Sequence, residues 1–259
     1  MVAGARVGMS GQAALQARGL HKAYGALCVT DQLDLDVHIG EIHALIGPNG
    51  AGKTTVINLL AGALKADAGT ILLHGDDVSA CAPAARARRG LGRTFQITSV
   101  FLDRSARENV ALAVQAGLGR HYAFWRRAAN DRLVSERAAA VLAQLGLHAL
   151  AERPASALSH GEQKQLELAM ALAAAPSVLL LDEPMAGVGP SERQAMAAQI
   201  ARLRPAHAIL LVEHDMDVVF SLADRVSVLV YGRCIASGAP AAVRADPDVQ
   251  RAYLQDGAS

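Results

Sequence analysis

A glycine-rich stretch, GPNGAGKT at residues 47–54, places a lysine and a threonine directly after its last glycine. Closely spaced glycines let consecutive backbone N–H groups converge, because no Cβ atoms crowd them. Such donors suit the oxygens of a phosphate chain, Lys53 can reach the β and γ oxygens, and the Thr54 hydroxyl can coordinate Mg²⁺. A glycine-rich turn with a chance lysine is the structural alternative. The residues predicted to bind a nucleotide here are Gly47, Pro48, Asn49, Gly50, Ala51, Gly52, Lys53, Thr54 and Thr55.

The segment VLLLDEP (178–184) is an apolar strand that ends in two carboxylates. Ligands of a parallel sheet gather at the carboxyl ends of its strands. Asp182 is therefore placed to help hold Mg²⁺, and Glu183 is placed to accept a proton from an attacking water. The alternative is a strand that stops at an exposed acidic turn, which the phosphate loop in the same chain disfavours.

The segment SHGE (159–162) precedes an apolar helical run, QKQLELAMALAAA. Ser159 and Glu162 have the S-x-x-E spacing of a capping box, which predicts a helix N-terminus. Gly161 would leave that N-terminus bare, so that it could also bind an anion. The two interpretations are compatible.

Hydrophobic periodicity indicates the elements that must position these groups. DLDVHIGEIHALIG predicts a strand, a turn at Gly40 and a strand, and KTTVINLLAGAL predicts the helix after the phosphate loop. Strand signals return at 177–183, 207–214 and 225–232, with a helical pattern between the first two. This alternation predicts an α/β fold with a mainly parallel, covered sheet. From about residue 97 to 160 the pattern is helical, which predicts a helical insert.

Composition limits the class of protein. The 259 residues are 52% hydrophobic and 19% charged, which is typical of a globular chain. The formal net charge is +1, and this balance argues against sequence-blind nucleic-acid binding as the main activity. No apolar run reaches the roughly 18 residues of a membrane span, and we expect residues 1–15 to form a loose tail rather than a secretory signal.

The three cysteines are Cys28, Cys81 and Cys234, and they are far apart in the sequence. No CxxC spacing occurs, so the sequence suggests neither a disulfide framework nor a zinc site. Ordinary half-buried thiols in a reducing compartment are the expectation.

Five motifs occur in a fixed order: the phosphate loop, RTFQ with Gln96, LSHGEQ (158–163), LLLDEP, and VEHD with His214. This order resembles that of the nucleotide-binding subunit of an ABC transporter, over about residues 20–254. The resemblance implies a P-loop NTPase core, an N-terminal antiparallel β region and a helical subdomain inserted at about 97–160. It places residues 16–259 in one ABC ATPase domain, with ATP and Mg²⁺ as cofactors.

The resemblance also implies roles for single residues. The signature segment would contact the γ-phosphate held by a second cassette, His214 would contact the γ-phosphate region of its own site, and Gln96 would sense Mg²⁺ and face the membrane partner. Tyr24 in HKAYG would stack on adenine. A strand-end histidine, a surface glutamine and a strand-edge tyrosine are the alternatives. The signature residues are Ser159, His160, Gly161, Glu162 and Gln163.

Two positions depart from the family pattern. His160 stands where glycine is usual, and Gly189 stands where the loop after the catalytic glutamate usually has an aspartate, so the dimer contact of that aspartate is not carried over. GLGRTFQ, LSHGEQKQLELAMALA, DEPMAGVGPSE and the C-terminal DPDVQRAYL, a predicted helix, are similar to the branched-chain and hydrophobic amino acid importers. The basic segments ARARRG (85–90) and FWRR (124–127) would be solvated faces or contacts to the membrane subunit or lipid headgroups.

The resemblance predicts an ATP-hydrolysing subunit that powers an importer of branched-chain or other hydrophobic amino acids. Its expected partners are separate transmembrane permease subunits, a second ABC ATPase subunit that is the same or a related chain, and indirectly a periplasmic or extracellular binding protein, without nucleic acid. The expected location is peripheral, at the cytoplasmic face of the bacterial inner membrane. Alternatives are urea import, lipid or lipopolysaccharide export, or a soluble ABC ATPase that acts on DNA or ribosomes. The last lacks the paired cassettes, coiled-coil or zinc inserts and basic tracts expected of it.

Overall fold

Two β-sheets and a set of helices make up the part of the chain that the computed structural model describes, residues 13–94, 100–118 and 131–256. The strands are β1 (Leu15–Tyr24), β2 (Leu27–Val37), β3 (Ile42–Ile46), β4 (Ala68–Leu73), β5 (Asp76–Asp77), β6 (Leu91–Arg93), β7 (Val178–Asp182), β8 (Ala208–Val212), β9 (Arg225–Val230) and β10 (Arg233–Gly238). The helices are α1 (Lys53–Ala61), α2 (Pro83–Arg88), α3 (Ala106–Gly117), α4 (Arg132–Gln144), α5 (His160–Leu172), α6 (Pro190–Leu203), α7 (Met216–Leu222), α8 (Pro240–Ala245) and α9 (Pro247–Asp256).

The larger sheet is six-stranded, with the order β10-β9-β3-β8-β7-β6, and all its pairs are parallel except β9 with β10. The smaller sheet is antiparallel, with the order β2-β1-β4-β5. Every residue of β3, β7 and β8 is buried, which explains why these strands are continuous apolar runs rather than alternating ones. The predicted α/β fold with a mainly parallel sheet and an N-terminal antiparallel region is confirmed.

The central strands separate two hydrophobic cores by the alternation of their side chains. Leu179 and Leu181 of β7 pack among the helices α3 to α6, whereas Val178 and Leu180 pack toward α1 and the antiparallel sheet. A third core joins β3 and β9 to the C-terminal helices. Strand β7 is therefore packed on both of its faces.

Parallel register brings the ends of three strands to one edge. Val212, the last residue of β8, is paired with Leu45 of β3 on one side and with Asp182 of β7 on the other. The phosphate loop follows β3, Glu183 follows Asp182 at the end of β7, and the Glu213–His214 pair follows β8. Three sequence motifs that are far apart in the chain thus meet in space.

The folded region begins earlier than the sequence predicts. Ala13, Ala14 and Leu15 are buried, and the Ala14 N–H donates to the Val37 carbonyl. This part of the predicted tail 1–15 is therefore wrong, because it joins the antiparallel sheet; residues 1–12 lie outside the described part. The helical layer also continues past residue 160, since α5 packs against α3 and α4. The division into a tail and a domain from residue 16 otherwise stays a prediction.

The basic segment ARARRG is not a solvated face throughout. Arg86 is buried and donates hydrogen bonds to the carbonyls of Leu59, Leu60, Ser79 and Cys81, at 2.7–3.0 Å. It therefore satisfies carbonyls at the C-terminal end of α1, where a helix leaves acceptors unpaired. Burial lowers the pKa of this guanidinium from its ordinary value.

The helix predicted for DPDVQRAYL is present as α9. Strand β10 and the short helices α2, α7 and α8 were not predicted. Searched over the described residues, no helix combines the length and the apolar character needed to cross a membrane.

Candidate functional site

The phosphate loop depends on glycine at two close approaches. A Cβ on Gly47 would lie 2.1 Å from the Leu229 carbonyl oxygen, and a Cβ on Gly52 would lie 2.4 Å from the Val29 carbonyl oxygen. Gly52 also has φ of 103° and is the N-cap of α1, without a side-chain cap. Because the first N–H groups of a helix have no acceptor within it, this uncapped N-terminus is suited to an anion.

Lys53 is held across the loop that precedes it. Its side chain is buried, with 8% of the residue exposed, and its ammonium donates to the carbonyls of Gly47 at 2.6 Å and Pro48 at 2.9 Å. Thr54 follows it on the first turn of α1 and is exposed. The loop thus presents a fixed cation and a hydroxyl at the same helix end.

Asp182 is a buried carboxylate with an unsatisfied oxygen. Its Oδ1 is buried and has no hydrogen-bond partner, and its Oδ2 lies 3.5 Å from Nη2 of Arg93. Burial raises the pKa of this carboxyl, against the opposing charge of Arg93. Helix α1 packs against β7, so Thr54 and Asp182 belong to neighbouring elements. An orphaned carboxylate oxygen beside a phosphate loop fits a divalent cation or its water ligand.

Glu183 has a backbone conformation that is rare for a residue with a side chain. Its φ is 47°, and its N–H donates to the Val212 carbonyl at 2.9 Å. Such a conformation costs about 1–3 kcal/mol and persists where the surrounding structure requires it. The carboxylate is 23% exposed, so a water can reach it. Strand β7 therefore buries Asp182 and turns Glu183 toward solvent.

His214 lies beside two carboxylates. Its Nδ1 is 3.8 Å from Oε2 of Glu183 and 3.8 Å from Oε2 of Glu213, and its side chain is 62% exposed. These separations exceed a hydrogen bond but allow an electrostatic contact with a protonated ring. The structure thus brings the two predicted catalytic residues, Glu183 and His214, together at the ends of neighbouring strands.

Glu213 was not among the predicted site residues. It is buried, it accepts hydrogen bonds from the N–H groups of Met185 at 3.0 Å and His214 at 3.2 Å, and burial raises the pKa of its carboxyl. It therefore ties the loop after Glu183 to the end of β8. Its position directly after the apolar run AILLV, as in VLLLD followed by Glu183, is the signal that could have identified it.

Ser159 caps α5 as the sequence predicts. Its hydroxyl accepts from the Glu162 N–H at 3.1 Å, and Glu162 Oε2 accepts from the Ser159 N–H at 2.8 Å, so the capping box is confirmed. Gln163 donates to the Ala155 carbonyl at 3.0 Å, which holds the preceding turn. Glu162 and Gln163 thus stabilise the signature segment within this chain.

A carboxylate of the same chain covers the N-terminus of α5. The Ser159 hydroxyl donates to Oε1 of Glu192 at 3.0 Å, and a Cβ on Gly161 would lie 2.5 Å from the Glu192 carboxyl carbon. Glycine at 161 is therefore what lets this anion approach. His160 is exposed, and its ring lies beside Gly187 of the loop that follows Glu183.

Tyr24 ends β1 with its side chain largely in solvent, at 55% exposure, and the Lys22 ammonium lies 5.5 Å from its ring centroid. The exposed ring is available for stacking, as predicted for adenine. Gln96 and the FWRR segment lie outside the described residues, so their predicted roles have no structural counterpart here.

A groove of about 560 Å³ is formed by β6 together with residues of α2, α3 and α5. It is lined by Leu91 and Arg93 of β6, by Arg88 of α2, by Ala113 of α3 and by Met170 of α5, among others. Its walls are mostly apolar.

The chain matches known protein families along most of its length. The model of the ABC transporter family covers residues 30–186, and a model described as branched-chain amino acid ATP-binding cassette transporter covers residues 233–254. The high-affinity branched-chain amino acid transport ATP-binding protein LivG of Escherichia coli (strain K12) is 40% identical over 253 residues, which are 94% of this chain and 98% of that protein. The corresponding protein BraF of Pseudomonas aeruginosa is 38% identical over 250 residues, with 93% and 97% covered.

A solved structure gives the same result. An ATP-binding cassette of an ABC transporter in its ADP conformation is similar, with a TM-score of 0.85 and 29% identity over 94% of this chain and 99% of that one. The phosphate loop, the Asp182–Glu183 pair and the capped N-terminus of α5 are thus found in a chain that is similar to ABC transporter ATP-binding proteins along most of its length. The chain belongs to the ABC transporter family, as one of its ATP-binding and ATP-hydrolysing subunits.

Proposed function

We propose that this chain powers an importer of branched-chain or other hydrophobic amino acids, from a peripheral position at the cytoplasmic face of the bacterial inner membrane. The observation that carries the chemistry is the shared strand edge, where Val212 pairs with both Leu45 and Asp182. The cargo is supported by the names of LivG and BraF and by the family match at residues 233–254.

The phosphates of ATP would bind at the uncapped N-terminus of α1, against Lys53. Glu183 would accept a proton from the water that attacks the γ-phosphate, since its carboxylate is partly exposed at the same strand edge. His214 would stabilise the negative charge on the γ-phosphate while the water attacks it. Tyr24 would stack on the adenine from the end of β1.

Magnesium fits the site because Asp182 Oδ1 is a buried carboxylate oxygen without a hydrogen-bond partner. Thr54 and Asp182 would hold the ion, together with Gln96. When bound, Mg²⁺ neutralises charge on the phosphates and orients them for attack.

Each site would be completed by a second cassette, either the same chain or a related one. Ser159 and the N-terminus of α5 are the groups offered to the partner's γ-phosphate, and they already bind an anionic group in the single chain. Phosphate from the partner would therefore have to replace the Glu192 carboxylate at this position. ATP would close the pair, and hydrolysis would reopen it.

Separate permease subunits would receive this movement. The apolar groove beside β6 is the surface that best suits them, because its walls are mostly apolar and Arg88 borders it. A periplasmic or extracellular binding protein would select the cargo without touching this chain. Urea import and lipid or lipopolysaccharide export use the same ATPase chemistry, and the names of the relatives favour amino acids over them.

Reconstitution tests this function. The chain should be placed in proteoliposomes with candidate permease subunits, a second cassette and a binding protein for branched-chain amino acids. We expect leucine-loaded binding protein to stimulate ATP hydrolysis and to drive uptake of labelled leucine. The chain could also be reconstituted with the membrane subunits of a urea importer or of a lipopolysaccharide exporter. Stimulation of ATP hydrolysis by urea or lipopolysaccharide there, without any response to leucine, isoleucine or valine, would contradict the proposed cargo and leave the ATPase assignment intact.

A further inference from the structure

Three potential metal ligands of different chemistry meet on the antiparallel sheet. They are Nδ1 of His21 on β1 and, on β2, Sγ of Cys28 and Oδ1 of Asp31. All three atoms lie within 4.8 Å of one another. Among the residues that the structure describes, this is the only set of three or more His, Cys, Asp or Glu side chains with this property.

We propose that His21, Cys28 and Asp31 form a zinc site, none of whose ligands is among the residues predicted to bind the nucleotide. Zinc takes nitrogen, sulfur and carboxylate oxygen together, and a site with three protein ligands leaves the fourth position to water.

The two separations that involve His21 are close to those of tetrahedral zinc. Bonds of about 2.3 Å to sulfur and about 2.0–2.1 Å to nitrogen and oxygen place nitrogen and oxygen about 3.3 Å apart, and nitrogen and sulfur about 3.6 Å apart. The His21 to Asp31 separation is 3.3 Å, and the His21 to Cys28 separation is 3.9 Å. A sulfur movement of a few tenths of an ångström brings Cys28 to the nitrogen–sulfur separation, and rotation of the Cys28 side chain must also set its distance to Oδ1 of Asp31, which lies within 4.8 Å.

Asp31 is prepared for this role by a residue from another strand. Arg233 of β10 donates to Oδ2 of Asp31 at 2.6–2.7 Å, which leaves Oδ1 directed at His21. These hydrogen bonds favour the charged form of the Asp31 carboxylate. With the thiol ionised, the Cys28, Asp31 and Arg233 side chains sum to one negative charge, which favours a dication.

The proton balance of binding is simple. The Cys28 thiol, whose sulfur is 3.4 Å from the Thr30 carbonyl oxygen, loses its proton to solvent, and neutral His21 binds through its Nδ1 lone pair. The metal would join β1 to β2 next to the turn that follows Tyr24, and so would stiffen this hairpin. The sequence did not predict this metal site, because its ligands come from two strands and Cys28 has no CxxC partner.

Zinc titration of the nucleotide-free chain against a chromophoric chelator, with Co²⁺ as a spectroscopic probe, tests the proposal. We expect one Zn²⁺ per chain and a cobalt–thiolate charge-transfer band. Cys28→Ser and His21→Gln should weaken zinc binding at least about tenfold and remove the band. Cys81→Ser and Cys234→Ser remove other partly buried thiols and should leave zinc binding and the cobalt–thiolate band unchanged.

A second measurement does not depend on variants. Zinc should slow alkylation of Cys28 by iodoacetamide, read by mass spectrometry, relative to Cys81 and Cys234 in the same sample. Equal protection of all three cysteines, or a cobalt–thiolate band that survives in a folded Cys28→Ser chain, would overturn the site.

Discussion

The Ser159 hydroxyl donates a 3.0 Å hydrogen bond to the Glu192 carboxylate, so an anionic group of the same chain is bound at the N-terminus of α5. The two residues are 33 positions apart, and Glu192 lies on the first turn of α6. A Cβ on Gly189 would lie 3.7 Å from Glu192 Oε2, in ordinary contact. The glycine that replaces the family's usual aspartate thus avoids a second carboxylate beside Glu192.

Glu192→Gln should make ATP-driven pairing easier. The variant keeps the shape of the side chain but removes the charge that competes with the partner's γ-phosphate. A partly exposed charge-assisted hydrogen bond is worth about 1 kcal/mol, so we expect roughly fivefold less ATP at half-maximal dimer formation in a Glu183→Gln background. Glu136→Gln, which removes the same charge from an exposed ion pair on α4, is the control. A higher ATP requirement for Glu192→Gln would show that the carboxylate assists the interface.

Asp182→Asn should stabilise the empty chain and impair the loaded one. Because burial raises the pKa of Asp182, its folded form binds a proton more tightly than its unfolded form. Ionisation therefore costs stability as pH rises through that pKa, and a neutral amide avoids this cost. We expect a higher thermal midpoint without nucleotide at neutral pH, together with weaker Mg²⁺ dependence of hydrolysis. A lower midpoint with unchanged Mg²⁺ dependence would contradict both assignments.

Lys53→Ala should weaken ATP binding. The ammonium lies at the loop, between two carbonyls that fix it, and a charge-assisted contact to phosphate is worth about 1.5–3 kcal/mol, or tenfold to over a hundredfold in affinity. Titration with fluorescent ATP and Mg²⁺ measures this. Lys65→Ala removes an exposed lysine just after α1 and should bind normally. Unchanged affinity in a folded Lys53→Ala chain would remove the phosphate-loop assignment.

His43 should make the fold less stable in mild acid. It is buried, with Nδ1 2.7 Å from the Asp36 carbonyl oxygen and Nε2 2.8 Å from the Ser227 hydroxyl, and burial lowers its pKa from 6.5 to about 4. The unfolded chain therefore binds the proton first, so this contribution to stability is complete above about pH 6.5 and falls as pH drops toward 4. The loss is at most roughly 3 kcal/mol.

Urea unfolding at about pH 7.5 and about pH 5 measures this effect. The wild-type chain should lose more stability between the two than His43→Gln does, because the amide does not titrate. Equal losses in both chains would show that His43 does not cause the pH dependence.

The site residues differ in how far the sequence reveals them. The bonds of Lys53 to its own loop and the Ser159 capping box are local patterns, since these contacts lie within six residues. The close approaches of Gly47 to Leu229 and of Gly52 to Val29 are not local. Arg86 was misread as part of a basic surface because its acceptors on α1 are 26–27 residues away. Glu192 was missed for the same reason, since Ser159, its hydrogen-bond partner, is 33 residues away. Glu213 differs, because the apolar run before it is a local signal.

The most direct test of the account is a dimer that forms with ATP but does not hydrolyse it. Glu183→Gln keeps the phosphate loop, Thr54 and Asp182, but its amide is a poor proton acceptor, so hydrolysis should fall about 10²–10⁴-fold while ATP still binds. Light scattering with ATP and Mg²⁺, on this chain alone and mixed with a related cassette, should then show a dimer. Adding Ser159→Arg should abolish it, whereas Ser156→Arg, at an exposed position in the preceding turn, should not. Wild-type hydrolysis by Glu183→Gln, or an ATP-dependent dimer that survives Ser159→Arg, would contradict a site shared between two chains.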